Sequence, residues 1–218
     1  HLPPRRRRQR QMCIRDSPNY DKTSYVQEFG WEDKFVFGMH QRDDIHIFSS
    51  IPLEAYEEIQ SDDTAFLILG GASNYRKQAK DYRLKNVKFL DTTSDIGKIH
   101  KFLNTLNVYA HGRSDGEQCS SSIIEGMSHS LPMISHTAPS MGQREQIGNA
   151  GKVVEGYEDY ANEMNKLMYD KDYYTQCMNN SGKRYEEIYN VPSIISRFIG
   201  LYKDCLLYTS PSPRDETK

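Results

Sequence analysis

The sequence predicts an α/β fold, a doubly wound parallel sheet of the Rossmann type with helices on both faces. Short apolar runs bounded by glycine or polar residues alternate with longer segments whose apolar residues recur at helical spacing. Parallel strands need helical crossovers, so this alternation indicates a parallel sheet. The 218 residues are enough for one such domain.

Six short apolar runs are predicted to be the strands. The first, KFVFG, is expected to end at Gly38, and the second, AFLIL, is stopped by Gly70 and Gly71. Because these runs are apolar almost throughout, they favour strands that are buried on both faces. The predicted strands are 34–38, 65–69, 87–90, 107–110, 131–135 and 152–154.

Helices are predicted between these strands and throughout the chain after the last of them. Pro52 suits the first turn of a helix that opens near Ser50, and Asp95 can cap another. Segments 75–84 and 120–130 are also predicted to be helical. Three later stripes at helical spacing are expected to be core: Tyr160, Met164, Leu167 and Met168; Tyr173, Tyr174, Cys177, Met178, Tyr185 and Ile188; Ile194, Ile195, Phe198, Ile199 and Tyr202.

The two ends of the chain suggest a separate origin. Residues 11–17 and 205–210 can be back-translated with codons that make one string the reverse complement of part of the other. A transposon-based sequencing adapter, translated in frame at both ends, would leave such inverted copies. We therefore expect 1–17 and 205–218 to be artefactual tails, 18–33 a linker, and 34–204 a functional domain from a longer protein.

Composition excludes several classes of protein. Four consecutive arginines at 5–8 would suggest nucleic-acid binding, but they lie in a predicted tail. Residues 1–17 contribute +5 and 205–218 contribute nothing, so 18–204 has net charge −7 where the whole chain has −2. An acidic domain argues against a nucleic-acid partner. The sequence contains no CxxC pair that would suggest a zinc site. No apolar run reaches the roughly 18 residues of a membrane span. The cytoplasm is therefore the expected location.

The segment DGEQCSSSIIE, residues 115–125, is the strongest candidate for a functional site. It follows the fourth predicted strand and opens a helix, and parallel sheets bind ligands at the carboxyl ends of their strands. The free N–H groups of a helix start suit a phosphate. Glu117 and Glu125 are separated by seven residues, and a carboxylate accepts well from vicinal sugar hydroxyls. The alternative is that Ser120 merely caps the helix and both glutamates are solvated.

The same segment resembles the C-terminal, nucleotide-sugar-binding domain of GT-B glycosyltransferases, of the retaining group 1 (GT4-like) kind. Their signature is Glu, seven residues, Glu, a turn of small residues and an apolar strand. The further pattern Gly-x-x-Glu-x-Ile stands here at Gly142, Glu145 and Ile147. FVFG, FLILGG, NVKFL and NVYAHGRSDGE follow one another in the family's order, and the resemblance covers about 35–203.

This resemblance implies a hexosyltransferase-type enzyme that transfers sugar from a nucleotide-diphosphate sugar, with retention at the anomeric carbon. Glu117 would be the catalytic residue facing the donor sugar, and Glu125 would bind the donor ribose. The loop at 88–90 would lie beside the base. The remaining donor-binding residues would be Gly38, Gly71, Gln118, Cys119, Ser120, Ser121 and Ser122. The nucleotide sugar is the donor substrate, and no cofactor and no metal is expected.

The sequence also departs from the family pattern. The family usually has Gly-Arg and then Lys to grip the diphosphate, whereas Met39 follows Gly38 here and Arg42 is the candidate substitute. The alternative is a surface arginine paired with a neighbouring aspartate. His111 and His136 each follow a strand and either contact the ligand or are structural. Cys119 could be a reactive thiol at a helix start.

Other functions fit the pattern as well. A donor-binding half alone is expected to bind donor and turn over little, because the acceptor-binding half is missing. The acceptor would be a glycan, lipid or protein, and the missing N-terminal half could add peripheral membrane contact. The alternatives are a non-catalytic glycosyltransferase-like scaffold and another GT-B enzyme, an epimerase or a phosphorylase.

Overall fold

The computed structural model describes residues 23–209. The predicted tail 1–17 lies outside these residues. Of the predicted tail 205–218, residues 205–209 continue the last helix and the others lie outside. Within 23–209, no helix is long and apolar enough to cross a membrane.

A six-stranded parallel sheet forms the centre of the molecule, which confirms the predicted fold class. Its order is β3-β2-β1-β4-β6-β8, so the order reverses between β1 and β4. All six predicted strands are present. They are β1 (Phe35–Gln41), β2 (Thr64–Gly70), β3 (Val87–Leu90), β4 (Val108–Ala110), β6 (Met133–His136) and β8 (Gly151–Val154). A two-stranded parallel pair, β5 (Gly116–Glu117) with β7 (Ser140–Met141), was not predicted.

Helices flank this sheet as the alternating pattern predicts. Pro52 lies in the first turn of α1, and the Asp95 carboxylate accepts from the N–H of Lys98 at 3.3 Å to cap α3. The helices are α1 (Ile51–Ile59), α2 (Ser73–Asp81), α3 (Ile96–Thr105), α4 (Ser121–Ser128), α5 (Gly142–Ile147), α6 (Gly156–Tyr169), α7 (Lys171–Arg184) and α8 (Val191–Thr209). A π-helical segment, Tyr185–Tyr189, joins α7 to α8.

The end of β1 was predicted wrongly. The strand continues past Gly38 to Gln41, which pairs with Gly70 of β2. Gly38 lies inside the sheet because packing requires a residue without a side chain there. A Cβ at this position would overlap the carbonyl oxygen of Leu67 and the Leu106 side chain that follows α3. Gly38 therefore allows close packing of the α3 end on the sheet.

The segment predicted to be a linker packs against the domain where the structure describes it. Residues 23–33 form turns without a helix or strand, but Trp31 is buried in the main core. Tyr25 stacks on Phe29 with ring centroids 5.5 Å apart, and Phe29 contacts Trp31. These aromatic residues extend the core beyond β1.

The third predicted stripe is not core. The stripe residues of α8 are exposed, with 52% of Ile195 and 57% of Phe198 accessible, because this helix packs chiefly on the π-helical segment that precedes it. The first two stripes behave mainly as predicted: Tyr160, Met164, Leu167, Tyr174 and Cys177 are buried.

We expect Gly38→Ala to lower the free energy of unfolding by about 1–3 kcal/mol, because the new methyl group overlaps backbone and the sheet must shift. Urea denaturation followed by circular dichroism measures this change. Gly200→Ala is the matched control, since an added Cβ on α8 meets no atom within 4 Å. The control is expected to raise stability by up to about 1 kcal/mol. Equal effects at both positions would contradict the packing argument.

Candidate functional site

Three histidines mark the carboxyl ends of neighbouring strands at the centre of the sheet. His40 lies near the end of β1, His111 follows β4, and His136 ends β6. Because these strands are parallel and adjacent, the three imidazoles reach the same edge. This edge includes the point where strand order reverses, which is where ligands bind in open α/β sheets.

Glu117 is held on the side of β4 by Arg113 and His111. Its carboxylate accepts from Arg113 at 2.8 Å and from the Nε2 of His111 at 3.2 Å. The short strand β5 fixes its position, since Gly116 has φ +68° and a Cβ there would overlap the carbonyl of Ser140. Only 19% of the Glu117 side chain is accessible, so the alternative of two solvated glutamates is wrong.

These contacts shift the ionisation of Glu117. Burial alone would raise the pKa of the carboxyl, but hydrogen bonds from His111 and Ser120 and the nearby positive charge of Arg113 outweigh it and lower the pKa. Arg113 also makes two hydrogen bonds to Asp115, at 3.0 and 2.8 Å, and these raise the pKa of its guanidinium. Glu117 is therefore ionised at neutral pH.

His111 connects Glu117 to the next strand. Its Nδ1 lies 2.9 Å from the Ser135 hydroxyl, and its ring is buried. A carboxylate only accepts, so the proton lies on Nε2 in the neutral ring and Nδ1 accepts from the serine. His111 thus positions Glu117, in agreement with the structural alternative for this histidine.

Two buried amides from α5 hold the backbone between the glutamates. Gln143 accepts from the N–H of Glu117 at 3.3 Å. Gln146 accepts from the N–H of Ser120 at 2.8 Å and donates to the Ser120 carbonyl at 2.7 Å. The Ser120 N–H is therefore occupied, and its hydroxyl lies 2.8 Å from that of Ser122 rather than capping the helix. The first-turn N–H groups of α4, from Ser121 to Ile123, have no acceptor within the helix.

Gln118 and Cys119 lie at the surface just before α4. The loop passes so close to α5 that a Cβ on Gly142 would overlap the backbone of Gln118. The thiol of Cys119 is free and exposed, and its Sγ accepts from the Gln146 amide at 3.8 Å.

Glu125 is held on the side of β1 by His40. The Nε2 of His40 lies 2.5 Å from Oε2 of Glu125, and 42% of the glutamate side chain is accessible. The Nδ1 of His40 lies 3.1 Å from the hydroxyl of the buried Tyr109. Each of the two glutamates is thus bound to a histidine from a different strand.

The other predicted site residues are dispersed. Gly71 forms the turn after β2, with φ +80°, and its N–H donates to Gln41 at 2.7 Å. Gly38 is inside the sheet, away from the edge. Arg42 is 67% exposed and pairs with Asp44 at 2.9 Å. It therefore fits the alternative of a surface arginine paired with a neighbouring aspartate. His136 is buried between the Ser49 hydroxyl and the Thr137 carbonyl, and burial lowers its pKa.

Sequence reasoning missed the role of four site residues, His40, Arg113, Gln143 and Gln146. Arg113 stands four residues before Glu117, a proximity that could have identified it. The two glutamines stand in the segment GQREQI, residues 142–147, although nothing local indicates their hydrogen-bond partners. Across the described part of the chain, no group of three or more His, Cys, Asp or Glu side chains could hold a metal ion.

The sheet is of the Rossmann type, and two hydrogen-bonded carboxylates and the start of a helix lie at its switch point. This arrangement is typical of an α/β ligand-binding domain. The sequence profile of the family described as "Glycosyl transferases group 1" matches residues 22–184, and the chain belongs to this family. It is thus a glycosyltransferase domain. A search of curated proteins finds no match.

Solved structures share the fold at low sequence identity. The Anabaena protein Alr3699/HepE, in complex with UDP and glucose, is 19% identical with a TM-score of 0.71 over 82% of this chain and 50% of that one. A glycosyltransferase from Rickettsia africae ESF-5 is 16% identical (TM-score 0.67; 96% and 54%). The C-terminal domain of the group 1 protein LpcC from Francisella tularensis is 15% identical (TM-score 0.64; 79% and 96%). The chain thus spans about half the length of the first two.

We expect Arg113→Met to raise the pKa of the Glu117 carboxyl, because the substitution removes a cation that stabilises its ionised form. A carbon-detected NMR titration of glutamate carboxyls measures this value. The stability that the lowered pKa provides is present at neutral pH and is lost as the pH falls through it. Arg42→Met, which removes an exposed arginine paired with Asp44, should leave the Glu117 titration unchanged. Equal shifts in both variants would contradict the assignment.

Proposed function

We propose that the chain is the donor-binding, C-terminal half of a GT-B glycosyltransferase that transfers sugar from a nucleotide-diphosphate sugar with retention. The observation that carries this proposal is the loop from Glu117 to Glu125, which places two carboxylates around the start of α4 at the switch point of the sheet. The match to 96% of a C-terminal domain supports the assignment to that half. The acceptor, a glycan, lipid or protein, would bind the other half.

The donor diphosphate would lie at the start of α4. The N–H groups of Ser121 and Ser122 point out of the first turn, where the helix dipole is positive, and the Ser122 hydroxyl lies beside them. The amides of Gln143 and Gln146 keep this backbone fixed, so no reorganisation is needed as charge develops on the leaving diphosphate. The HepE complexes with UDP and with UDP-glucose support a donor of this class.

The glutamates would have separate tasks. Glu125 is partly exposed and retains free acceptor positions, so it would bind the ribose hydroxyls. Glu117 is held ionised by hydrogen bonds from His111 and Ser120 and by the charge of Arg113. It would face the donor sugar, where a negative charge stabilises the positive charge that develops at the anomeric carbon. This division requires no metal and no cofactor.

A second candidate, a non-catalytic donor-binding scaffold, is favoured by one observation. Arg42, the predicted substitute for the diphosphate grip, and Arg113 are both engaged by carboxylates: Arg42 by Asp44, and Arg113 by Asp115 and Glu117. A transferase that lacks a cation on the leaving diphosphate loses part of its transition-state stabilisation.

We expect one of UDP, GDP and ADP to bind the chain in calorimetric titrations, and Glu125→Ala to weaken this binding about tenfold or more through loss of a charged hydrogen-bond acceptor. Glu57→Ala, an exposed glutamate on α1, is the matched control and should bind as the wild type does. Circular dichroism verifies folding. A folded chain that binds none of the three, or an unaffected Glu125→Ala variant, would count against the proposal.

The 218-residue chain alone should transfer sugar to water or added acceptor at trace rates only, because the half that would position the acceptor is absent. Release of UDP from UDP-glucose, followed by a coupled assay, measures this rate. A normal enzymatic turnover number would contradict the interpretation that catalysis requires both halves of the protein. Assay of the full-length gene product distinguishes the two proposals, because an enzyme would transfer sugar and a scaffold would remain inactive.

A further inference from the structure

We propose that His40 is the positioning residue for Glu125 and makes this carboxylate selective for ribose hydroxyls. The inference rests on the proposed nucleotide-binding function and adds a residue to it. Its basis is the 2.5 Å contact between Nε2 of His40 and Oε2 of Glu125, which joins β1 to α4 across 85 residues of sequence.

The hydrogen-bond pattern defines the protonation of the imidazole. A carboxylate offers no proton, so Nε2 of His40 carries the hydrogen and donates to Glu125. The Tyr109 hydroxyl lies 3.1 Å from Nδ1 and 3.2 Å from the His40 carbonyl oxygen, so both the ring and the backbone of His40 contact this hydroxyl. Tyr109 is fully buried, and its ring meets the His40 ring edge to face at 5.5 Å. The donor to Glu125 is therefore fixed by a residue that cannot itself move freely.

Close packing of α4 on β4 makes this contact reachable. Gly126 follows Glu125, and a Cβ on it would lie 3.1 Å from the Tyr109 ring, tighter than ordinary contact. The missing side chain lets the helix approach the strand, and Glu125 is carried with it toward His40. His100 and His129 also lie near Glu125, but they bond to each other at 2.8 Å, and His129 bonds to Asn104.

The consequence concerns how Glu125 meets a ligand. With Oε2 bound to His40, the carboxylate is held in one orientation, and Oε1 and the second lone pair of Oε2 remain to accept. A half-exposed glutamate without this bond would sample several rotamers and would lose entropy on binding. His40 thus prepares this carboxylate for the ribose and contributes nothing to the diphosphate or the base.

The test compares UDP with 2′,3′-dideoxy-UDP by calorimetry on the 218-residue chain, or the matching ADP or GDP pair where that base binds. For the wild type, the ratio of the two dissociation constants should be about ten. His40→Gln and His40→Asn form the decisive pair, because the longer amide can place its N–H where Nε2 was, whereas the shorter one reaches only the Nδ1 position. The Gln variant should keep the ratio, and the Asn variant should reduce it to about two with the dideoxy constant unchanged.

The controls separate the possible failures. His46→Ala removes an exposed histidine outside the site and should leave the ratio at its wild-type value. Thermal unfolding confirms that each variant folds. A folded wild type that binds no nucleoside diphosphate, or that binds without ribose selectivity, overturns the proposed function and this inference together. A selective wild type whose Gln and Asn variants behave alike overturns the role of His40 and leaves the proposed function standing.

Discussion

Parallel pairing of β1, β4 and β6 brings three strand ends to one edge of the sheet, and the candidate site depends on this constraint. Each strand delivers an imidazole there: His40 to Glu125, His111 to Glu117, and His136 to Ser49. Glu117 is 19% accessible and Glu125 is 42% accessible, so each carboxylate loses part of its water and takes a donor from the protein. Histidines at or near the strand ends supply those donors to the two glutamates.

The backbone of the site is fixed by hydrogen bonds from side-chain amides. Gln143 and Gln146 come from one short helix, and each bonds the main chain of the loop between the glutamates. These hydrogen bonds fix the backbone of the loop, so the N–H groups at the start of α4 would need no rearrangement to receive an anion. Arg42 and Arg113 are both paired with carboxylates, so the N–H dipoles of α4 would be the main groups to receive the anion.

Sequence patterns predicted the architecture well and pointed to part of the candidate site. The six strands and the Asp95 cap follow from local residue choice, and the loop from Glu117 to Glu125 was identified by its spacing. The extension of β1 beyond Gly38 was missed because the Leu106 contact that favours glycine there comes from a distant helix. The exposure of α8 was missed because periodicity marks an apolar face and not what covers it. His40 lies 85 residues from its partner, beyond the range of any local pattern.

The same sequence separation has a consequence for how the molecule folds. The junction of β1 with β4 and α4 closes chain segments of 69 to 85 residues, as in the contacts of His40 with Tyr109 and Glu125. Such closures lose chain entropy before they gain contact energy, so they form late relative to local helices and turns. A partly folded chain would contain most of the helices and no assembled site. Nucleotide binding would then report completion of folding more strictly than helix content does.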